Sequence, residues 1–136
     1  MSNLSNAADL VGRILIAAIF LVSGLGKISG YAGTQAYMAA HGVPGALLPL
    51  VIAVEVLGAA AIIAGFRTRG VSVVLAVFTL AAAFLFHNVP GDEMQRIMLL
   101  KNVAIAGGFL VLFARGAGAW SLDARALTRV NEPASR

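Results

Sequence analysis

The 136-residue chain is 60% hydrophobic and only 12% charged, with a mean hydropathy of +0.89 and a net charge of +4. An ordinary soluble domain carries about 25% charged residues, so this composition excludes a water-soluble globule and makes lipid the solvent for most of the chain. The basic balance comes without basic runs interleaved with aromatics, which argues against a nucleic-acid partner, and the absence of cysteine excludes dithiol exchange, thiolate zinc sites, cysteine-ligated iron–sulfur clusters and covalent c-type haem.

A helix crosses the hydrocarbon layer in about 20 apolar residues, and four segments qualify. The first covers residues 10–28, with Arg13 near its start. No basic residue precedes Arg13 in MSNLSNAAD, so this segment reads as a span rather than a cleaved signal peptide. Residues 29–45 form the longest loop, in which Tyr37, Met38 and His41 fall at helical spacing. That pattern predicts a short interfacial helix, with Tyr31 and Tyr37 at the lipid headgroups. Gly42 ends the helix and Pro44 restarts the chain.

The second span, 47–66, reads LLPLVIAVEVLGAAAIIAGF, and Glu55 is its sole charge. The third, 70–87, has no formal charge and ends on His87. In the turn HNVPGDEMQR, Asp92 and Glu93 suit a first helical turn, where the helix dipole favours negative charge. The fourth span, 97–114, is interrupted by Lys101 and Asn102. The polar tail, 115–136, is expected to fray after one short amphipathic turn. The fold class is therefore all-α, an integral membrane four-helix bundle with a short interfacial helix between the first two spans. One domain accounts for the whole length. Small residues four apart (Gly26/Gly30, Ala60/Ala64, Ala104/Gly108) are expected helix-packing points.

With four spans both termini share one side, together with Arg13, Arg67, Arg69, Arg115, Arg125, Arg129 and Arg136. Lys27, Arg96 and Lys101 lie towards the other. The positive-inside rule then makes both termini cytoplasmic in a bacterial inner membrane. Sorting polar residues by depth brings Lys27, His87, Lys101 and Asn102 to the exterior half, with Glu55 near mid-membrane. Intramembrane charges face the bundle interior, so Glu55 is either held neutral by desolvation or paired with Lys27 or Lys101. Arg13 shares a helical stripe with Phe20, Gly24 and Lys27. A buried Glu55–Lys101 pair that only fixes register is the plain structural alternative.

Other motifs are weak. SGLGKISG lacks the first glycine and the Ser or Thr of a phosphate loop, and GAGAWSLD opens no strand–helix unit. His41 and His87 stand at no ligand spacing, so no metal site is expected.

Taken together, GRILIAAIFLVSGLGKI, AAHGVPGALLPLVIAVEVLGA, GFRTR, the histidine of FLFH, KNVAIAGGFL and GAGAWSLD give a chain that resembles the DoxX family over about residues 8–123. The resemblance implies a four-helix membrane bundle. It also implies kinship with a subunit of archaeal thiosulfate:quinone oxidoreductase, with quinone or catechol resistance and with oxidative-stress systems, in some cases as anchors for redox enzymes. Arg13, Lys27, Glu55, His87, Lys101 and Asn102 are the positions it carries over.

Three readings follow. In the first, the bundle is quinone-linked: Glu55 and Lys101 handle the chemistry, and Arg13, Lys27, His87 and Asn102 bind the substrate. A bound quinone is the cofactor candidate, its carbonyls met by donors in an apolar pocket. In the second, the chain anchors or assembles a soluble redox enzyme, and its inner charges are structural. In the third, it is a small dimeric proton-coupled transporter, disfavoured because the site is lysine-rich and the sole tryptophan, Trp120, lies beyond the last span. The lipid bilayer is a partner in all three, and a soluble redox enzyme or a second copy is a partner in two. Catalysis itself stays open at this point.

Overall fold

A computed structural model describes residues 2–131. All regular structure among them is helical: α1 (Asn3–Ser29), α2 (Tyr31–Ala40), a 3₁₀ turn (Gly45–Leu47), α3 (Leu48–Ala64), α4 (Thr68–Phe86), α5 (Glu93–Arg115) and α6 (Leu122–Asn131). Four of these are long and apolar enough to cross a membrane: α1, the 3₁₀ turn with α3, α4, and α5.

Helix ends outrun the apolar segments for local reasons. The Ser2 hydroxyl accepts from Ser5 N–H, so α1 starts about two turns before its apolar stretch. The Asp92 carboxylate does the same for Gln95 N–H, and Glu93 follows it in the first turn of α5. Gly42, at φ +76°, ends the chain segment that follows α2, as expected for a glycine in the left-handed region. In α4 the hydroxyls of Ser72 and Thr79 donate back to the carbonyls of Thr68 and Leu75. A helix can thus carry two buried hydroxyls in hydrocarbon with their protons satisfied.

The helices pack as two antiparallel pairs, α1 against α3 and α4 against α5. The pairs meet around Ala17, Phe20, Ala59, Ile62, Leu75, Ala76, Ala106 and Phe109. Between bilayer-embedded helices van der Waals fit replaces the hydrophobic effect, and the alanines allow that fit. Phe20 and Phe109 interlock edge to face, with ring centroids 5.4 Å apart. The buried face of α1 runs through Asn6, Arg13, Ala17, Phe20 and Gly24, which includes Arg13, Phe20 and Gly24 of the expected stripe, while Lys27, its fourth member, is half-buried. On α3 the buried face is Leu48, Glu55, Ala59 and Ile62, so Glu55 does point inward.

α1 and α3 approach closely at Gly24. A Cβ there would lie 2.7 Å from Val56 Cγ2 and 3.1 Å from Glu55 Cβ. Of the expected small-residue points, Gly108 does approach a facing helix, near Ile16. Gly26 has open space around it, and Ala60 and Ala64 face outward, so they are not the packing points the spacing suggested.

The expectation of a fraying tail is corrected. α6 is helical through Asn131, and residues 132–136 lie outside the described residues. Its order is tertiary. The Asp123 carboxylate accepts from the backbone N–H of Arg67 (2.7 Å) and Thr68 (2.9 Å), which caps α4, while Asp123 N–H donates to Gly65 O (2.9 Å). Ser121 Oγ accepts from Ala124 N–H and starts α6. Burial pushes the Asp123 carboxyl up, but the Thr68 and Arg67 hydrogen bonds and the Arg13 charge outweigh it and hold it below the usual carboxylate range.

A carboxyl lowered on folding contributes stability above its unfolded value, and that contribution is lost as pH falls through the folded value. Docking of α6 should therefore be complete at neutral pH and should fail below the ordinary aspartate value of 3.8. The emission of Trp120 during acid titration reads this out. Asp123→Asn should remove the acid step; an unchanged step in that variant would assign it elsewhere.

Candidate functional site

The α2 end of the bundle holds a cavity of about 390 Å³ between the two helix pairs. Its wall is mostly apolar (Phe20, Phe78, Leu85, Ile105) and carries Ser23, Lys27, Glu55, His87, Lys101 and Asn102. Glu55 is only 5% exposed. Lys27 Nζ lies 3.1 Å from its Oε1 and 3.0 Å from its Oε2. Only the Oε1 contact has hydrogen-bond geometry, so Oε2 stays without a donor. Ser23 Oγ donates to Oε1 at 3.4 Å and itself accepts from Lys27 Nζ.

Local sequence explains the triad. Ser23 and Lys27 are one helical turn apart on one face, and Gly24 between them brings α1 close enough to α3 for both to reach Glu55. Isolated in hydrocarbon, the carboxylate would be prohibitively costly; Lys27 neutralises it while its own side chain stays about one-quarter exposed.

Of the two lysines the sequence offered Glu55, the structure selects Lys27. Lys101 lines the same cavity from α5, but its ammonium donates to Met98 Sδ (3.3 Å), and no hydrogen bond or ion pair joins it to Glu55. The reason is the pairing of helices. α5 packs on α4, across the cavity from α3. Asn102 is half-buried on the same wall. His87 ends α4, and its Nδ1 donates to Gln95 Oε1 (2.8 Å), which fixes the ring at the cavity edge.

Arg13 is not brought to this cavity. It lies at the other end of the bundle, 1% exposed, and donates to the carbonyls of Ile62 (3.2 Å), Ile63 (2.7 Å) and Trp120 (2.5 Å). Two of these carbonyls belong to the last turn of α3, where helix carbonyls run out of partners within the helix, and that of Ile62 also accepts from the capping Gly65 N–H (3.1 Å).

Sequence reasoning missed Ser23, Gln95 and the aromatic rim. Ser23 was detectable in principle, four residues before Lys27. Gln95 meets His87 only through the geometry of the α4–α5 turn. Tyr37, expected at the headgroups, is exposed, stacks on Phe86 (5.4 Å, 19°) and packs beside His41 (4.4 Å) at the cavity's α2 side. Tyr31 is exposed.

The sequence model of the DoxX family matches residues 8–88, from the first turns of α1 through His87. The chain belongs to the DoxX family. Lys27, Glu55 and His87 fall inside the matched region, and Lys101 and Asn102 beyond it. Among curated DoxX-like relatives, the inner membrane protein YqjF of Escherichia coli K12 is 50% identical over 123 residues, covering 90% of this chain and 95% of the relative. The inner membrane protein YphA of the same organism is 42% identical, covering 85% and 88%. A Bacillus subtilis protein named "Putative oxidoreductase CatD" is 32% identical over 102 residues, covering 71% and 75%. No solved structure matches the chain. This DoxX protein is thus a membrane protein with inner-membrane relatives and four membrane-crossing helices.

Proposed function

We propose that this DoxX protein binds a quinone-class ligand in the cavity at the α2 end and takes part in its reduction. The carrying observation is the buried Glu55 carboxylate, held by Lys27 and Ser23 on the wall of an otherwise apolar cavity of about 390 Å³. That volume suits a small aromatic ring. A quinone presents two carbonyl oxygens on an apolar ring, and Lys101 and Asn102 are the donors available to them, while His87 gives its Nδ1 hydrogen to Gln95 at the cavity edge. Full reduction adds two electrons and two protons, one proton to each oxygen. The electrons come from a partner reductase or a small-molecule reductant. In this reading Glu55, Ser23 and Lys27 form the proton-handling group, since they exchange hydrogen bonds with one another at the cavity wall. The relative named as an oxidoreductase supports a redox role.

The same reading sets the orientation. Arg67, Arg69, Arg115, Arg125 and Arg129 gather at the α6 end, against Lys27, Arg96 and Lys101 at the other. By the positive-inside rule the α6 end is cytoplasmic and the cavity lies in the opposite half of the membrane.

Quinone content tests the proposal. Protein purified in mild detergent should carry extractable quinone near one per chain, and folded Glu55→Gln and Lys101→Ala should carry far less. An absence of quinone in all three, even after an excess of a short-chain analogue is added, sinks the redox reading and leaves membrane anchoring of a redox enzyme ahead.

A further inference from the structure

A second cavity lies on the outside of the bundle. Where α3 and α4 diverge they leave an apolar groove of about 550 Å³, floored by Gly58 and Leu75 and walled by Val54, Leu57, Val71 and Val74. At the α6 end it closes on Phe66 and Arg67. The guanidinium of Arg67 stands 5.9 Å above the Phe66 ring. No carboxylate among the described residues lies within salt-bridge distance of it.

The other arginines near this end are committed or distant. Arg13 is bound to three carbonyls, Arg115 faces Asp9 at 3.8 Å, and Arg69 folds towards Gly116. Arg125 and Arg129 are on α6 and do not line the groove.

The backbone at Arg67 makes the residue choice informative. Its φ is +45°, and it is the only non-glycine residue with positive φ among those described. Glycine or asparagine suits that conformation, and a long side chain does not. Local conformation therefore gives no reason for an arginine; its guanidinium does. An apolar groove in a lipid-facing wall, closed at membrane-surface level by an unpaired cation, fits one chemical class. Its ligand carries a hydrocarbon chain and a phosphate.

We propose that the α3–α4 groove binds one anionic phospholipid, with an acyl chain along the groove and its headgroup phosphate on the Arg67 guanidinium. A bidentate guanidinium–phosphate contact gives geometry as well as charge, and basic pockets between transmembrane helices recognise anionic headgroups in this way.

Native mass spectrometry of the full chain in mild detergent tests this. Phosphatidylglycerol and phosphatidylcholine of identical acyl chains are added at equal concentration. Wild type should retain a single phosphatidylglycerol about five-fold more than phosphatidylcholine, the ratio expected for one arginine at a membrane surface. Arg67→Gly is compatible with the positive φ and should fold normally while bringing the ratio to about one. Arg67→Lys should keep part of the preference, and Arg125→Gln all of it. Val74→Trp fills the groove and should reduce retention of both lipids. Equal retention of the two lipids by wild type, a preference that survives Arg67→Gly, or an equal loss in Arg125→Gln overturns the proposal. So does a Val74→Trp protein that retains lipid normally but loses a dimer, since a second copy would then occupy the groove.

Discussion

Lys27→Met should destabilise the bundle by about 3–5 kcal/mol, the range seen when one partner of a buried ion pair is removed. The lower part of that range is expected, because the lysine side chain is one-quarter exposed while the carboxylate is not. The loss comes from Glu55, which stays between α1 and α3 with only Ser23 as donor. Lys27→Met/Glu55→Leu should recover most of the stability, since replacing both charges by apolar groups of similar shape is nearly neutral. Thermal unfolding in detergent of the two single variants and the double variant decides it. Additive losses in the double variant would show that the pair is not coupled. Full recovery of stability with no recovery of bound quinone would separate the pair's structural contribution from its role at the cavity.

Arg13→Leu should cost about 4–5 kcal/mol, close to the low end of the sum for three hydrogen bonds from a charged donor at about 1.5–3 kcal/mol each. Its carbonyl partners belong to α3 and to the segment between α5 and α6. Its removal should therefore loosen α6 before the spans separate. Limited proteolysis of α6 should accelerate at temperatures where the spans stay intact. Arg13→Lys should recover only part of the stability, because one ammonium cannot reach carbonyls on both segments in the fork geometry of a guanidinium. The folded fraction of Arg13→Leu should hold as much quinone as wild type, since Arg13 lies outside the cavity. A selective loss of quinone at unchanged stability would return Arg13 to the binding site.

These two arginine and lysine cases show what could be read from sequence. The four spans were legible because hydropathy alone sets them. The inward face of Glu55 followed from the cost of placing a carboxylate against lipid, and the stripe through Arg13, Phe20, Gly24 and Lys27 from helical periodicity. Which lysine meets Glu55 was not legible. Lys27 and Lys101 have similar depths, and the choice rests on α1, rather than α5, lying against α3. That adjacency depends on close packing at Gly24, which the helical stripe turns inward without saying whether α3 or α5 lies against it. The place of Arg13 at the opposite end from Lys27 and Lys101 was legible from its depth, and only the family resemblance grouped it with them; its binding partners were not legible. Its carbonyl partners offer no side-chain pattern to search for. The helix at 122–131 was hidden because polar residues dominate it and its order comes from Asp123 meeting a turn 55 residues earlier.

That last contact bears on how the protein is made. Chains emerge N-terminus first, so α3 and α4 leave the ribosome with the turn between them uncapped. The Asp123 carboxylate that closes the turn, and the Trp120 carbonyl that engages Arg13, are synthesised only after all four spans. Insertion and locking are thus separate events in biosynthesis. A nascent chain stalled before residue 120 holds its full set of membrane segments yet lacks the clasp at the α6 end, leaving Arg13 one acceptor short and exposing the α3–α4 turn to quality-control proteases.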